Sequence, residues 1–271
     1  MTTAHAAHVR LFRSLHTPSS PLALANAWDA ASARVVEAAG APAVATTSAG
    51  VAWALGSVDG NSLDRDRALA ALAQVTAAVT VPVTADLEDG YGADPAEVAS
   101  TVTRALAAGV AGINLEDGTL TPADFATRLT AARTAADKAG TDLFLNARID
   151  TYLLGLGAPE HRLTETLTRA HHYVAAGADG IFVPGVTDPA TISALAAEIP
   201  VPLNVMAGPG APSVAELGRL GVARVSLGSG VAQTAYGVVG RAARELLAGG
   251  TYDALADAVP YPEMQGLLAA R

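Results

Sequence analysis

Short apolar runs alternate with Ala-rich segments of helical period along nearly the whole chain. The runs, each closing on polar or glycine positions, are Pro21–Trp28, Ala43–Gly50, Val81–Glu88, Gly112–Asp117, Asp142–Asp150, Gly180–Gly185, Pro202–Gly208 and Arg224–Gly230. Runs of this length bounded by turn residues read as strands. Each gap between them has room for one helix and two loops, as parallel βα units require. The helical segments carry matching punctuation. Asp94-Pro95-Ala96-Glu97, Thr121-Pro122 and Asp188-Pro189 are N-cap and first-turn sequences, and Gly109, Gly140 and Gly177 stand just past helix ends. Eight βα units with no linker predict one α/β domain over residues 1–271, a (β/α)8 TIM barrel. An N-terminal helix over 1–19 precedes it and a C-terminal helical tail over 251–271 follows. A doubly wound open sheet is the competing architecture, and it lacks a GxGxxG after the first strand.

Composition narrows the function. Apolar types make up 51% of the chain but aromatics only 4%, which suits close-packed helices on parallel strands built from small side chains. The net charge of −9, with no basic stripe, argues against nucleic acid as a partner. With no cysteine there is no disulfide, no zinc-thiolate site and no thiol acid or nucleophile. No run approaches the apolar length of a membrane span, and the N-terminus lacks the uninterrupted apolar core of a signal peptide. A soluble cytoplasmic protein without membrane partners is the expectation.

In such a barrel the active site is built at the C-terminal ends of the strands. Asp86, Glu88 and Asp89 end the third expected strand, Glu116 and Asp117 the fourth, and Asn146, Arg148 and Asp150 the fifth; Asp59 lies in the loop after the second. Carboxylates converging on one mouth repel unless neutralised, and a hard divalent cation with oxygen ligands is the usual remedy. Asp86 and Glu88, two apart, share a strand face and can aim at a single ion, which Glu116 reaches directly or through water. Arg148 is a fork for a carboxylate or phosphate, or else a partner for Asp150 or Glu116. Asp89 and Asp117 read as loop or cap residues. His16, His161, His171 and His172 fall in helical segments and read as surface positions; Trp53 packs under a loop or walls the pocket.

The phrase Pro82-Val83-Thr84-Ala85-Asp86-Leu87-Glu88-Asp89-Gly90-Tyr91-Gly92 resembles the metal-binding strand of the isocitrate lyase/phosphoenolpyruvate mutase superfamily. Three further motifs follow the family order: Thr47-Ser48-Ala49 with Leu55-Gly56 and Asp59, Gly112-Ile113-Asn114-Leu115-Glu116-Asp117, and Asn146-Ala147-Arg148-Ile149-Asp150. The likeness spans residues 20–240. It implies Mg2+ or Mn2+ and chemistry on a keto or hydroxy acid through an enolate. Asp86 would bind the metal, with Glu88 and Glu116 acting mainly through its waters. Asp59 would sit beside metal-bound water and substrate. Amides around Thr47, Ser48 and Ala49 would hold one carboxylate and Arg148 the other end of the substrate. Family members usually form dimers of dimers exchanging a C-terminal helix, so a homo-oligomer, dimer or tetramer, is implied.

The departures from that family sharpen the expectation. Isocitrate and methylisocitrate lyases carry a Lys-Lys-Cys-Gly-His loop where this chain has only Gly118-Thr119-Leu120-Thr121-Pro122, so a Cys-dependent lyase is excluded. Mutases place Lys and Asn in a longer gating loop there, and a His after the sixth strand where this chain reads Val183-Pro184-Gly185. The protic groups left are Tyr91, Asp59, Ser48 and metal-bound water. The leading expectation is a Mg2+-dependent carbon–carbon lyase of a 2-oxo or 2-hydroxy dicarboxylic acid. The alternatives are a phosphonomutase or C–P hydrolase of the phosphoenolpyruvate/phosphonopyruvate type, and a non-catalytic metabolite-binding barrel.

Overall fold

The computed structural model describes residues 3–269; residues 1–2 and 270–271, the ends of the expected N-terminal helix and C-terminal tail, lie outside the described residues. Nine parallel strands form one sheet: β1 (Leu22–Leu24), β2 (Asn26–Ala27), β3 (Val44–Thr46), β4 (Val83–Asp86), β5 (Gly112–Glu116), β6 (Phe144–Arg148), β7 (Gly180–Val183), β8 (Leu203–Met206) and β9 (Val222–Ser226). Around and after them run α1 (Thr3–Ser14), α2 (Ala30–Ala38), α3 (Ser48–Ala54), α4 (Arg65–Ala78), α5 (Pro95–Ala107), α6 (Pro122–Lys138), α7 (Arg162–Ala175), α8 (Pro189–Glu198), α9 (Val214–Arg219), α10 (Gly230–Gly249) and α11 (Tyr261–Ala269). The strand order is β1-β9-β8-β7-β6-β5-β4-β3-β2. Its two ends are separated in the chain by Ala25 alone, so the ring nearly closes as a TIM-type barrel. The first expected strand is thus broken in two, pairing with β9 on one side and β3 on the other.

The expected helix starts are capped: Asp94 accepts the amides of Ala96 and Glu97, Thr121 that of Asp124, and Asp188 that of Thr191. Three boundaries differ. The N-terminal helix, expected over 1–19, ends at Ser14, ahead of Pro18 and Pro21. The second strand stops at Thr46, and Ser48–Gly50 open α3, so the gap to β4 holds two helices rather than one. Close packing accompanies the early turn. Gly50 has no room for a side chain, since a Cβ there would come within 2.8 Å of Thr47 Cγ2 and 2.9 Å of the Trp28 Cβ. The last strand begins earlier, at Val222, and ends at Ser226. Among the described residues no helix is long and apolar enough to cross a membrane. Val239, Leu246 and Leu247 of α10 and Tyr252 beyond it stay exposed.

Strand alternation divides the core in two. Outward-facing Val83, Ala85, Ile113, Leu115, Leu145, Ala147, Ile181, Val205 and Val225 join one apolar layer with the helices. The inward face is different. At the bottom, α1 plugs the barrel: Val9 and Phe12 pack with Leu22, Leu24, Ala43, Ala45, Ala111 and Phe144. Gly112 leaves room for the plug, since a Cβ there would come within 2.6 Å of the Phe12 ring. Above that plug the bore is lined by Thr84, Asn114, Asn146, Asn204, Arg224 and Ser226, all buried, where branched aliphatic side chains are usual.

His16, expected at the surface, is instead buried (7% exposed) under the plug, while His161, His171 and His172 are exposed. Its Nδ1–H donates to the Phe12 carbonyl at 2.8 Å, its ring stacks on Phe144 at 3.9 Å, and Nε2 has no partner. Burial, reinforced by the Arg224 charge, pulls its pKa down to about 3. The unfolded chain takes up a proton below about pH 6.5 that the folded chain refuses until about pH 3. Stability is therefore lost as pH falls through that window, at about 1.4 kcal/mol per pH unit. In urea unfolding, His16→Gln should narrow the stability difference between pH 6.5 and pH 5 by about 2 kcal/mol. Parallel pH profiles for the two proteins would show that His16 titrates normally.

Candidate active site

The C-terminal end of the barrel opens into a cavity of about 150 Å³. Its walls include Thr47, Ser48 and Ala49 at the head of α3, Asp59, Asp86 at the end of β4, and Arg148 at the end of β6. Six of the sequence-derived candidates are thus brought together. The strand register explains part of this: Asp86 lies opposite Asn114, which lies opposite Asn146, and Glu116 lies opposite Arg148. Asp86 is fixed at both ends: its amide donates to Thr46 Oγ1 at 2.9 Å, and its Oδ2 accepts the Ser48 amide at 3.0 Å. The Ser48 N–H expected to hold a substrate carboxylate is therefore directed to Asp86 in this structure.

Arg148 is clamped. Its Nη1 lies 2.5 Å from Glu116 Oε2, and Nε and Nη2 donate to the two oxygens of Asp150 at 2.7 and 3.1 Å. Asp150 is itself braced through its amide, which donates to Asp117 Oδ1 at 2.9 Å. Asp117, read from sequence as a loop or cap residue, is a loop residue that caps no helix; its Oδ2 accepts from Tyr173 Oη and Arg169 Nη1. Burial works against the guanidinium charge, but Glu116 and Asp150 carry its pKa above the ordinary arginine value. Burial pushes Glu116 up to about 8, against the pull of Arg148 and helped by Asp86 and Asp150. Asp150 is raised for the same first reason. Glu116 and Asp150 thus share one guanidinium at the mouth.

Glu88, Tyr91, Glu116 and Trp53 do not line the cavity. Glu88 is buried behind it, its two oxygens accepting the Asn61 amide and, at 2.9 Å, the Tyr91 hydroxyl. Burial raises the Glu88 carboxyl and the Tyr91 phenol alike. Glu88, Tyr91 and Asn61 are also the non-glycine residues of positive φ among the described residues, at 50°, 51° and 59°. Backbone strain of about 1–3 kcal/mol each, gathered on one hydrogen-bonded trio, is characteristic of functional sites. Arg128 of α6 holds the Asp89–Ala93 turn by donating to the carbonyls of Gly92 and Asp89 at 2.8 and 3.1 Å. Trp53 packs edge-on against Tyr236 at 6.4 Å.

Asn26, Asn114, Ser226, Phe182 and Met206 also form cavity wall and floor, beside Leu153, Pro184, Gly228 and Ser229, and were not singled out from sequence. Strand parity could have found them: Asn114 and Glu116, or Phe182 and Pro184, are spaced two apart on one face. Asp86 shares the cavity with the side-chain oxygens of Asp59, Ser48 and Asn114, a donor set that suits a hard cation such as Mg2+. Among the described residues no three His, Asp or Glu side chains are gathered into a ready ion cage. Mg2+ does not require one, because it keeps several waters and takes one or two direct carboxylates.

A family model described as phosphoenolpyruvate phosphomutase matches residues 12–247. An uncharacterised protein of Mycobacterium tuberculosis is 39% identical over 261 residues, 95% of each chain. A Burkholderia cenocepacia J2315 protein, provisionally described as a lyase/mutase, is 38% identical in its crystal structure, with a TM-score of 0.90 over 99% of this chain and 98% of that one. The oxaloacetate decarboxylase of Ectopseudomonas mendocina is 37% identical over 158 residues, covering 55% of this chain and 53% of that enzyme.

Proposed function

The chain belongs to the phosphoenolpyruvate phosphomutase family, and on that premise we propose that it is a Mg2+-dependent carbon–carbon lyase of a small 2-oxo or 2-hydroxy dicarboxylic acid. The observation that carries this reading is the cavity itself. At about 150 Å³ it is far smaller than the pockets of drug-sized ligands, and it sets the Asp86 carboxylate and the Arg148 guanidinium on one small space. Partial similarity to an oxaloacetate decarboxylase points to the same substrate class.

Asp86 would hold the metal directly, with Glu88 and Glu116 reaching its waters. When bound, the dication supplies Lewis-acid stabilisation of the negative charge that develops on a keto oxygen. The remaining work falls to the chain. Arg148, its fork set by Glu116 and Asp150, keeps one unshared N–H on each terminal nitrogen for the far carboxylate of the substrate. With the Thr47 and Ser48 amides taken by Ala27 and Asp86, the Ala49 amide would be the backbone donor to the near carboxylate. Tyr91 holds Glu88 by its hydroxyl, and Asp59, on an exposed loop that reaches the cavity, is the group placed to move a proton at the substrate. Phosphoryl transfer fits less well. A phosphoryl group wants more than one cationic contact besides the metal, and Arg148 is the one guanidinium on the cavity wall.

The test is thermal stability with oxalate, pyruvate, phosphonopyruvate and substituted malates, each with and without Mg2+, followed by assay of the best stabiliser. Oxalate mimics an enolate chelated to a metal, so its shift should require Mg2+. A malate or oxaloacetate should then be consumed with release of a smaller acid. Turnover of phosphonopyruvate alone, seen in a phosphorus NMR spectrum, would replace the lyase reading by C–P chemistry. Binding without turnover of any of them would leave a metabolite-binding barrel.

A further inference from the structure

The bore below the cavity floor holds a charge that the chemistry above does not use. Arg224 of β9 is fully enclosed, at 0% exposure. Its Nε donates to Ser226 Oγ at 3.3 Å and its Nη2 to Asn114 Oδ1 at 3.4 Å, and its Nη1 has no partner. None of the ion pairs among the described residues includes it. Burial draws it down to about 9, with Asp86 the charge that resists the fall, so it remains a cation at neutral pH. An enclosed guanidinium without a carboxylate is costly, and an aliphatic side chain of similar volume would serve packing better. Stability therefore does not explain it. Its two partners do suggest a use. Ser226 and Asn114 both form the cavity floor, so the guanidinium bears on that floor from beneath.

We propose that Arg224 is a positioning residue that sets the charge of the cavity: it fixes Asn114 and Ser226 from below and selects dicarboxylates over monocarboxylates, while opposing the metal. This rests on the reading of the cavity as a 2-oxo dicarboxylate site. The sign of each effect follows from electrostatics alone. A fixed positive charge attracts a dianion with twice the free energy of a monoanion, so the affinity lost on removing it is squared. It repels Mg2+.

The experiment is calorimetric titration of Arg224→Met and Arg224→Lys with oxalate and with pyruvate at saturating Mg2+, and with Mg2+ alone. Arg224→Met should melt no lower than the wild type, because a buried unpaired charge has been replaced by an apolar chain. It should bind pyruvate about 10-fold and oxalate about 100-fold more weakly. Mg2+ alone should bind more tightly, since a repelling charge is gone. Arg224→Lys, which keeps the charge, should recover most of the oxalate preference, and it decides the matter if the methionine variant does not fold. Three results overturn the proposal: oxalate affinity unchanged in Arg224→Met, equal losses for oxalate and pyruvate whatever Mg2+ does, or a folded Arg224→Lys without the preference. Wild-type protein that binds neither acid would instead defeat the underlying functional reading, and this inference with it.

Discussion

Asp86→Ala should abolish both the Mg2+-dependent oxalate shift and turnover, the latter falling by about 10³-fold or more. The fold should survive the change. Asp86 accepts one amide, from Ser48, and its loss frees the first turn of α3 at a cost of about 1 kcal/mol. Against that, the Asp86 charge raises Glu88, Glu116 and Asp150, so removing it relieves repulsion across the mouth, less the attraction it gives the Arg148 and Arg224 cations. The two effects oppose, and the melting temperature of the ligand-free protein should move little. Asp86→Asn separates them further, since its amide oxygen can still accept from Ser48 while a hard cation loses its anionic ligand. Thermal melts with and without Mg2+ and oxalate check both variants. An oxalate shift retained in Asp86→Ala would mean that the metal is held elsewhere in the mouth.

The barrel was legible because several βα units carry their own punctuation. Asp94-Pro95, Thr121-Pro122 and Asp188-Pro189 announce helices, and each apolar run ends where a strand does or within a few residues of it. Asp86 and Arg148 were legible through one rule, that strand ends face the site. What stayed hidden is of another kind. The partner of Arg148 was left open between Glu116 and Asp150 because β5–β6 register is a tertiary fact, and the structure shows both contacts at once. Arg224 passed as part of a helix-to-strand junction, Leu220-Gly221-Val222-Ala223-Arg224-Val225, because nothing local reveals that the barrel encloses it. His16 was misplaced for the same reason: it lies two residues past the end of α1, and nothing local reveals that this helix plugs the barrel. The break at Ala25 follows from closing the ring, which no local pattern encodes.

Arg148 should prove both a structural clamp and a ligand, and two variants separate the roles. Arg148→Met leaves Glu116 and Asp150 facing each other across a mostly buried mouth without their cation. Removing one partner of such a group costs about 3–5 kcal/mol, or roughly 10 °C in melting temperature for a chain of this size. Oxalate affinity at saturating Mg2+ should fall by about 100-fold or more, since a desolvated charge contact is lost with the fork. Arg148→Lys restores a positive charge but not the planar fork. One ammonium cannot serve Glu116, both oxygens of Asp150 and a substrate carboxylate together. Its stability should therefore recover toward wild type while oxalate binding stays weak by about 10-fold. The split decides the assignment. If Arg148→Lys regains stability and affinity in step, the guanidinium acts on the substrate only as a charge. If Arg148→Met unfolds more easily yet binds oxalate like the wild type, Arg148 is a clamp alone, and another group of the mouth holds the far carboxylate.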